Sequence, residues 1–343
     1  MKNKIKKLTT ILFSLLMTAI FVLELPCSVY AATAKSPKVY SNGKVSFTYV
    51  YFGSYPQKEV VYKGDQAQIS ALQARNISSG DYELVSQAKW NKIVNAKYNK
   101  NGDATINGVK YRRIKMSDAT QAQSDTPELY KWNDSVSYHY FKYEAIKWRV
   151  LYISNGKATL ISEYALDDEK YNETDSAALM WNINWKNSTI RSWLNGYSSS
   201  INARKINFSS NNFIDTAFSS SQQKKLGTKT GATGTKDKVF LLDETDINNT
   251  TRARRNGFVN STHRQCKCTT YAYAKGIWRP RQGSDTTVMW WLNTDDAGDM
   301  APNVTYDGDV DSDGRNNNKD AIGVRPSIIV STKTLKTLKV TTK

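Results

Sequence analysis

Trp290-Trp291-Leu292-Asn293, a polar run, Asn303-Val304-Thr305-Tyr306-Asp307-Gly308-Asp309-Val310, and then Gly323-Val324-Arg325-Pro326-Ser327-Ile328-Ile329-Val330 form the stretch that decides the fold. Apolar anchors stand at both ends, and loops rich in Asp, Asn and Gly lie between them. Short apolar runs bounded by turn residues read as buried strands. The stretch predicts a sheet carrying exposed loops. For the whole chain it predicts an α+β fold, mostly antiparallel, with a few short helices and long loops.

Working outward, the clearest local signal is a hairpin. Ile146, Trp148, Val150 and Tyr152 alternate, Asn155-Gly156 makes a two-residue turn, and Ala158, Leu160 and Ser162 return. Such a turn suits the right-handed twist of paired strands. Asn101-Gly102 and Asn107-Gly108 mark two earlier turns around short strands. Val45 to Tyr51 alternates at strand period, and Phe52 to Gln57 reads as a turn. The spacing of Leu84, Trp90, Ile93, Val94 and Tyr98 predicts a helix over 82–98. A short helix is expected over 187–196, with Asn187 or Ser188 as its cap and Gly196 as its stop. Phe213, Ile214, Ala217 and Phe218 mark a second one. Val239 to Leu242 reads as a buried strand, and residues 243–289 as mostly polar and irregular.

The N-terminus sets the compartment. Lys2, Lys4, Lys6 and Lys7 precede an apolar run from Leu8 to Leu25, and Val29-Tyr30-Ala31 offers small residues for cleavage. This order is that of a secretory signal peptide over residues 1–31. The expected division is then a linker over 32–45, one domain over 46–330 and a basic, frayed tail over 331–343. No later segment is apolar enough to span a membrane. The formal charge of the 343-residue chain is +17, and removing four Lys and one Glu with the signal leaves +14. Such a charge favours anionic partners, which outside a cell are wall polymers, acidic polysaccharide or membrane headgroups rather than nucleic acid. Cys266 and Cys268 remain after cleavage. Cys-x-Cys alone is no disulfide framework, so burial of nine Trp and twenty Tyr has to supply the core.

The order Tyr51-Phe52-Gly53-Ser54-Tyr55-Pro56-Gln57, Ile146-Lys147-Trp148-Arg149-Val150-Leu151, Asn187 to Asn195, Thr235 to Leu242, Trp290-Trp291-Leu292 and Gly323-Val324-Arg325-Pro326 resembles an uncharacterised family of bacterial secreted and surface proteins, a domain of unknown function. The likeness spans about residues 46 to 330. The closing strand order also looks like the C-type-lectin-like fold shared with formylglycine-generating enzymes, a likeness of fold alone.

Three groups of residues are candidates for chemistry. Trp278, Trp290 and Trp291 near Arg281 and Asp295 suit stacking on sugar rings. Adjacent Trp290 and Trp291 point to opposite faces of a strand, so one is expected in the core and the other exposed. Asp309, Asp311, Asp313 and Asp320 fall at the spacing of a calcium loop, although plain turns at Asp307-Gly308 and Asp313-Gly314 explain the same residues. Arg191, Trp193 and Arg325 lie within apolar stretches and read as structural, the arginines as buried partners of carboxylates or carbonyls. No catalytic set emerges. Cys266 and Cys268 could hold copper(I) or zinc or serve an oxidase, but no metal-ligand cluster stands beside them, so no cofactor is expected other than calcium at the 309–320 loop. The expectation is a secreted, non-enzymatic recognition module for a glycan, an anionic cell-wall polymer or a surface protein. The alternative is a cell-envelope enzyme, either a hydrolase or a formylglycine-generating-type oxidase.

Overall fold

The central feature is a pair of long antiparallel strands, Thr48–Tyr62 and His139–Ser154. Around them a computed structural model describes residues 33–120, 128–133, 136–174, 181–248, 250–280, 287–319 and 321–342. The signal-peptide reading of residues 1–31 falls outside the described residues. The described chain is α+β, with 22% helix and 34% strand in mostly antiparallel sheets, so sheet pairing rather than helix packing organises it.

The larger sheet has ten strands. Its main path runs from Leu226–Gly227 through Ser327–Ser331, Lys157–Ser162, His139–Ser154 and Thr48–Tyr62 to Lys339–Thr342. The expected hairpin is there. Asn155 and Gly156 take positive φ of 48° and 72°, and Lys157–Ser162 returns along the preceding strand. Gly323–Val324 and Trp290–Trp291 belong to a second, five-stranded sheet with Asp167–Asp168 at one edge and Val310–Asn316 at the other. Two segments cross between the sheets, Ser162 to Asp167 and Val324 to Ser327. At this corner the Arg325 guanidinium donates to the carbonyls of Ser162 at 2.9 Å and Arg264 at 3.4 Å.

Several local readings change. Phe52 to Gln57 is not a turn but the middle of the fifteen-residue strand, which bulges between Tyr51 and Ser54 and between Pro56 and Lys58. Gly53 has φ +70°, and a Cβ there would lie 2.6 Å from the Phe218 ring. A bulge absorbs both the glycine and a proline that cannot donate to the ladder. Residues 82–98 divide into a strand, Tyr82–Val85, parallel to Thr48–Tyr62, and a helix, Gln87–Val94, capped by the Ser86 hydroxyl. The region 243–289 holds four short helices, Glu244–Ile247, Thr251–Arg255, Ser261–Arg264 and Thr270–Lys275. Each is started by a side-chain cap rather than by an apolar stripe. The expected linker contains a small hairpin, Lys38–Val39 with Val45–Ser46. The expected frayed tail supplies Lys339–Thr342 to the open edge of Thr48–Tyr62. Main-chain bonding makes that pairing, so an apolar pattern is not required for it. Residues Thr33 to Lys343 form one unit.

An aromatic layer covers one face of the long strand. Tyr55 lies 5.0 Å from Phe213 and 5.9 Å from Tyr271, while Phe52 lies 5.4 Å from Phe218, between ring centroids. These contacts lock the helices Phe213–Ala217 and Thr270–Lys275 onto the sheet, where aromatic pairs add to the stabilisation from burial. Among the described residues, no helix is long and apolar enough to cross a membrane.

A polar cavity as the candidate functional site

Where the aromatic layer ends, the elements leave a cavity of about 480 Å³. Five pieces of chain build it. Tyr55 comes from the long strand. Asp167 and Glu169 come from the edge of the second sheet, Tyr271 and Lys275 from one helix, and Trp193, Asn211, Asn212 and Thr216 from the helical segment that follows the first crossing of the chain. The fifth piece, a wall of its own, is the Asn99–Gly102 turn with Arg112, Arg113 and Lys115.

Local geometry explains which side chains arrive. Tyr271 and Lys275 are four residues apart on a helix capped by the Thr269 hydroxyl, so they share a face. Asp167 and Glu169 are two apart at a strand end and point the same way, while Asp168 between them turns aside to accept from the Thr120 hydroxyl. Asn212 caps the Phe213–Ala217 helix by accepting from the Asp215 N–H at 2.8 Å. Gly102 at the rim is obligatory. Its φ is +76°, and a Cβ would stand 2.4 Å from the Arg113 carbonyl oxygen.

The cavity floor is crowded with charge. The Tyr55 hydroxyl donates to Asp167 Oδ2 in a buried hydrogen bond. Burial pushes the Asp167 carboxyl above its ordinary value, against the opposing pull of Lys275 and of the Tyr55 bond. Burial raises Glu169 further, with Lys275 opposing and Asp167 reinforcing the rise. For Lys275 burial works the other way, but the neighbouring carboxylates win and its ammonium is held above the usual range. Burial pushes the Tyr271 hydroxyl up to about 12, so it stays a donor at neutral pH. Carboxylates, an ammonium and two phenols thus face one space. Perturbed groups that converge in a cleft are a mark of functional sites.

Arg112 and Arg113 divide the labour of the wall beside the Asn99–Gly102 turn. Arg112 forks onto buried Asp103 at 2.7 and 2.9 Å, with the Tyr143 hydroxyl donating to the same carboxylate at 2.8 Å. Burial would raise the Asp103 carboxyl, but these bonds hold it below its ordinary range. Arg113, on the alternate face of the strand, lies between the rings of Tyr98 and Tyr138 at 4.6 and 4.2 Å.

The residues singled out from sequence fall elsewhere, with one exception. Trp193, read as structural, lines the cavity, and no described residue accepts from its indole N–H. Trp290 and Trp291 are both fully buried, so neither ring is exposed as expected of one of them. The second sheet is covered on both faces. The Trp290 indole donates to the Arg264 carbonyl at 3.1 Å, and that of Trp291 to the Glu169 carbonyl at 3.0 Å, which steadies the cavity floor from behind. Trp278 is half-buried, 5.9 Å from Tyr306 and away from the cavity. Asp295 accepts from the Thr233 hydroxyl at 3.3 Å. Arg281 and Asp320 lie outside the described residues. Arg191 is buried against Asp237 at 2.9 Å, and Arg325 is buried beneath Trp290 at 4.9 Å.

Asp311 and Asp313 are spread along the strand Val310–Asn316, with Asp309 just before it. Asp311 is engaged locally by the Gly314 N–H at 3.1 Å and by Arg315 at 3.3 Å. Among the described residues no group of three or more His, Cys, Asp or Glu is arranged to hold a metal ion. Cys266 and Cys268 are both free. Burial raises both thiols, Cys268 to about 12, so they stay protonated at neutral pH.

Fold and site together define an α+β protein whose two larger sheets and surface helices border a polar cavity. The chain belongs to the family described as Domain of unknown function (DUF6273), whose model matches residues 155–332. That match begins at the hairpin turn and is shorter than the span of 46–330 suggested by the motifs. No curated protein and no solved structure matches the chain. The boundary divides the cavity. Asp167, Glu169, Trp193, Tyr271 and Lys275 lie inside the matched segment, while Tyr55, Arg112, Arg113 and Lys115 precede it.

Proposed function

We propose that the protein is an exported, lectin-like recognition module that binds a short carbohydrate segment in this cavity. One observation carries the reading. Indole and phenol rings, side-chain amides and charged donors and acceptors surround a space of about 480 Å³. Sites for small ligands span about 300–1,000 Å³. A sugar ring offers apolar C–H faces to aromatic rings and hydroxyls to amides and carboxylates, which matches this mixed lining better than it would a wholly apolar ligand. The partner class is a glycan or a cell-wall polymer.

The test is a binding screen of the full chain against immobilised oligosaccharides and wall fractions. Trp193→Phe keeps an aromatic in the core and removes the indole N–H, and Asn211→Ala alters an exposed rim residue. Each is expected to weaken retention about ten-fold without a change in melting temperature. Unchanged retention in both variants would move binding away from the cavity.

A second reading draws on a specific observation. Tyr55, Asp167, Glu169 and Lys275 converge as an envelope hydrolase would require, with one carboxyl to protonate a leaving oxygen and another to activate water. New reducing ends from a bound oligosaccharide, lost in Asp167→Asn, would favour this reading over simple recognition.

Export rests on the basic, apolar and small-residue order of the N-terminus. N-terminal sequencing of protein from culture supernatant should find a chain starting near Ala32. A cell-retained chain that still starts at Met1 would refute export.

A further inference from the structure

We infer that the cavity selects an acidic carbohydrate, whose carboxylate or phosphate oxyanion is gripped by Arg113 on the wall that precedes the family segment. The inference rests on the carbohydrate reading above and narrows its ligand class.

Arg113 differs from its neighbour Arg112 and from Arg149 and Arg191, which are committed to Asp103, Glu163 and Asp237, all within 3.0 Å. No described carboxylate pairs with Arg113. What holds it is a pair of rings, with its guanidinium carbon 4.6 Å from the Tyr98 centroid and 4.2 Å from that of Tyr138. Stacking occupies the faces of a guanidinium and leaves its N–H donors free in the plane. A stacked arginine with free edges is ordered in advance for a forked bond to an oxyanion, so less rotamer freedom is lost on binding.

The charge around it points the same way. Lys100 and Lys115 share this wall and have no described carboxylate partner. Asp118 is the acid on this side, and its carboxylate already accepts from the Lys115 N–H at 2.9 Å. Across the cavity stand Asp167 and Glu169, accompanied by Lys275. The cavity therefore has a cationic wall and an anionic floor. A ligand with an oxyanion at one end and hydroxyls or an amine at the other fits in one orientation only. A neutral sugar satisfies the floor and leaves Arg113, Lys100 and Lys115 unanswered.

The test compares three oligosaccharide probes of similar length by calorimetry on the full chain. They are a neutral N-acetylglucosamine oligomer, a uronate-bearing oligomer and a phosphate-bearing oligomer, with inorganic phosphate as a control. The acidic probes should bind at least ten-fold tighter than the neutral one, and that preference should shrink as salt rises. Arg113→Gln should reduce the preference to within about two-fold, while binding of the neutral probe is kept. Arg113→Lys, which retains the charge and loses the fork, should restore less than half of the lost preference on a logarithmic scale. The stronger of the two acidic probes identifies the oxyanion as carboxylate or phosphate.

Equal binding of neutral and acidic probes overturns the inference and leaves the carbohydrate reading standing. A preference that survives Arg113→Gln also overturns it. Inorganic phosphate binding as tightly as the acidic probes would mean that the sugar contributes nothing, which sinks both. Failure of every probe to bind likewise sinks both.

Discussion

Replacing Lys275 with Met is expected to lower stability by about 3 kcal/mol at pH 7, because one ammonium stands against the carboxylates of Asp167, Glu169 and Asp168. Methionine keeps the stem and removes the charge, so packing loss is small. The pH dependence identifies the cause. Asp167 and Glu169 have folded values raised above their unfolded ones. Their favourable contribution is therefore complete below the ordinary carboxylate range and is lost as pH rises through the raised values. Lys275 is raised too, so its contribution holds at neutral pH and fades only as pH climbs through its raised folded value. The difference between wild type and Lys275→Met should therefore be large at pH 7 and shrink toward about 1 kcal/mol near pH 4, as the two carboxyls take up protons. Glu169→Gln should move the other way: it removes a carboxyl whose raised folded value makes stability fall as pH rises, so the variant should lose less stability than wild type as pH climbs. Chemical denaturation at both pH values measures this. A penalty for Lys275→Met that is independent of pH would mean that packing, not charge, is responsible. Should Glu169→Gln stabilise the fold while weakening ligand retention, the floor would show the usual conflict between stability and function.

The second large effect is expected at Arg325. This side chain is 0% exposed and sits where both crossings between the sheets meet. Its removal leaves the carbonyls of Ser162 and Arg264 without their donor, empties the space against the Trp290 ring and takes one cation away from Glu163. Arg325→Ala should cost about 4 kcal/mol, the sum of a cavity and unsatisfied buried carbonyls. Arg325→Lys should recover little, because a single ammonium cannot span two carbonyls and cover an indole ring. One consideration runs against a large value. A buried charge is expensive, and the Arg325 Nη2 has no partner, so an apolar replacement of similar volume can be well tolerated. Arg325→Met is the discriminating variant. A loss under about 1 kcal/mol in urea titration would show that the volume at the corner matters and the hydrogen bonds do not.

Much of the local structure was legible in the sequence, because its cause is local. Asn155-Gly156 and Asn107-Gly108 adopt the positive φ values of hairpin turns. Ser188 and Gly196 begin and end the Thr189–Asn195 helix as their chemistry demands. Alternation along Ile146 to Tyr152 specified a strand; it holds through Val150, after which a bulge shifts the register, Leu151 is buried and Tyr152 only half-buried. The failures were also physical. Gly53 and Pro56 are turn residues in isolation, but a long strand tolerates them through bulges when its neighbours supply the pairing. The C-terminal segment has no apolar stripe, yet it completes a sheet edge, since backbone bonding asks little of side chains.

The cavity belongs to the second category. Lys275 and Asp167 are 108 positions apart, and Tyr55 is farther still from either. The sole hints were three consecutive acids, Asp167-Asp168-Glu169, in a strongly basic chain, and a Tyr271–Lys275 pair at helical spacing. Neither points to the other until the helix Thr270–Lys275 docks on the long strand beside the second sheet. The sequence alone determined the fold class, the Asn-Gly hairpin turns and the ends of the Thr189–Asn195 helix, because each depends on residues close together in the chain. Tertiary structure alone decided that both Trp290 and Trp291 are core, that Trp193 faces a cavity and that Arg112 is paired with Asp103 while no described carboxylate pairs with Arg113. Those outcomes depend on which elements cover which face, and that is set by contacts between residues far apart in the chain.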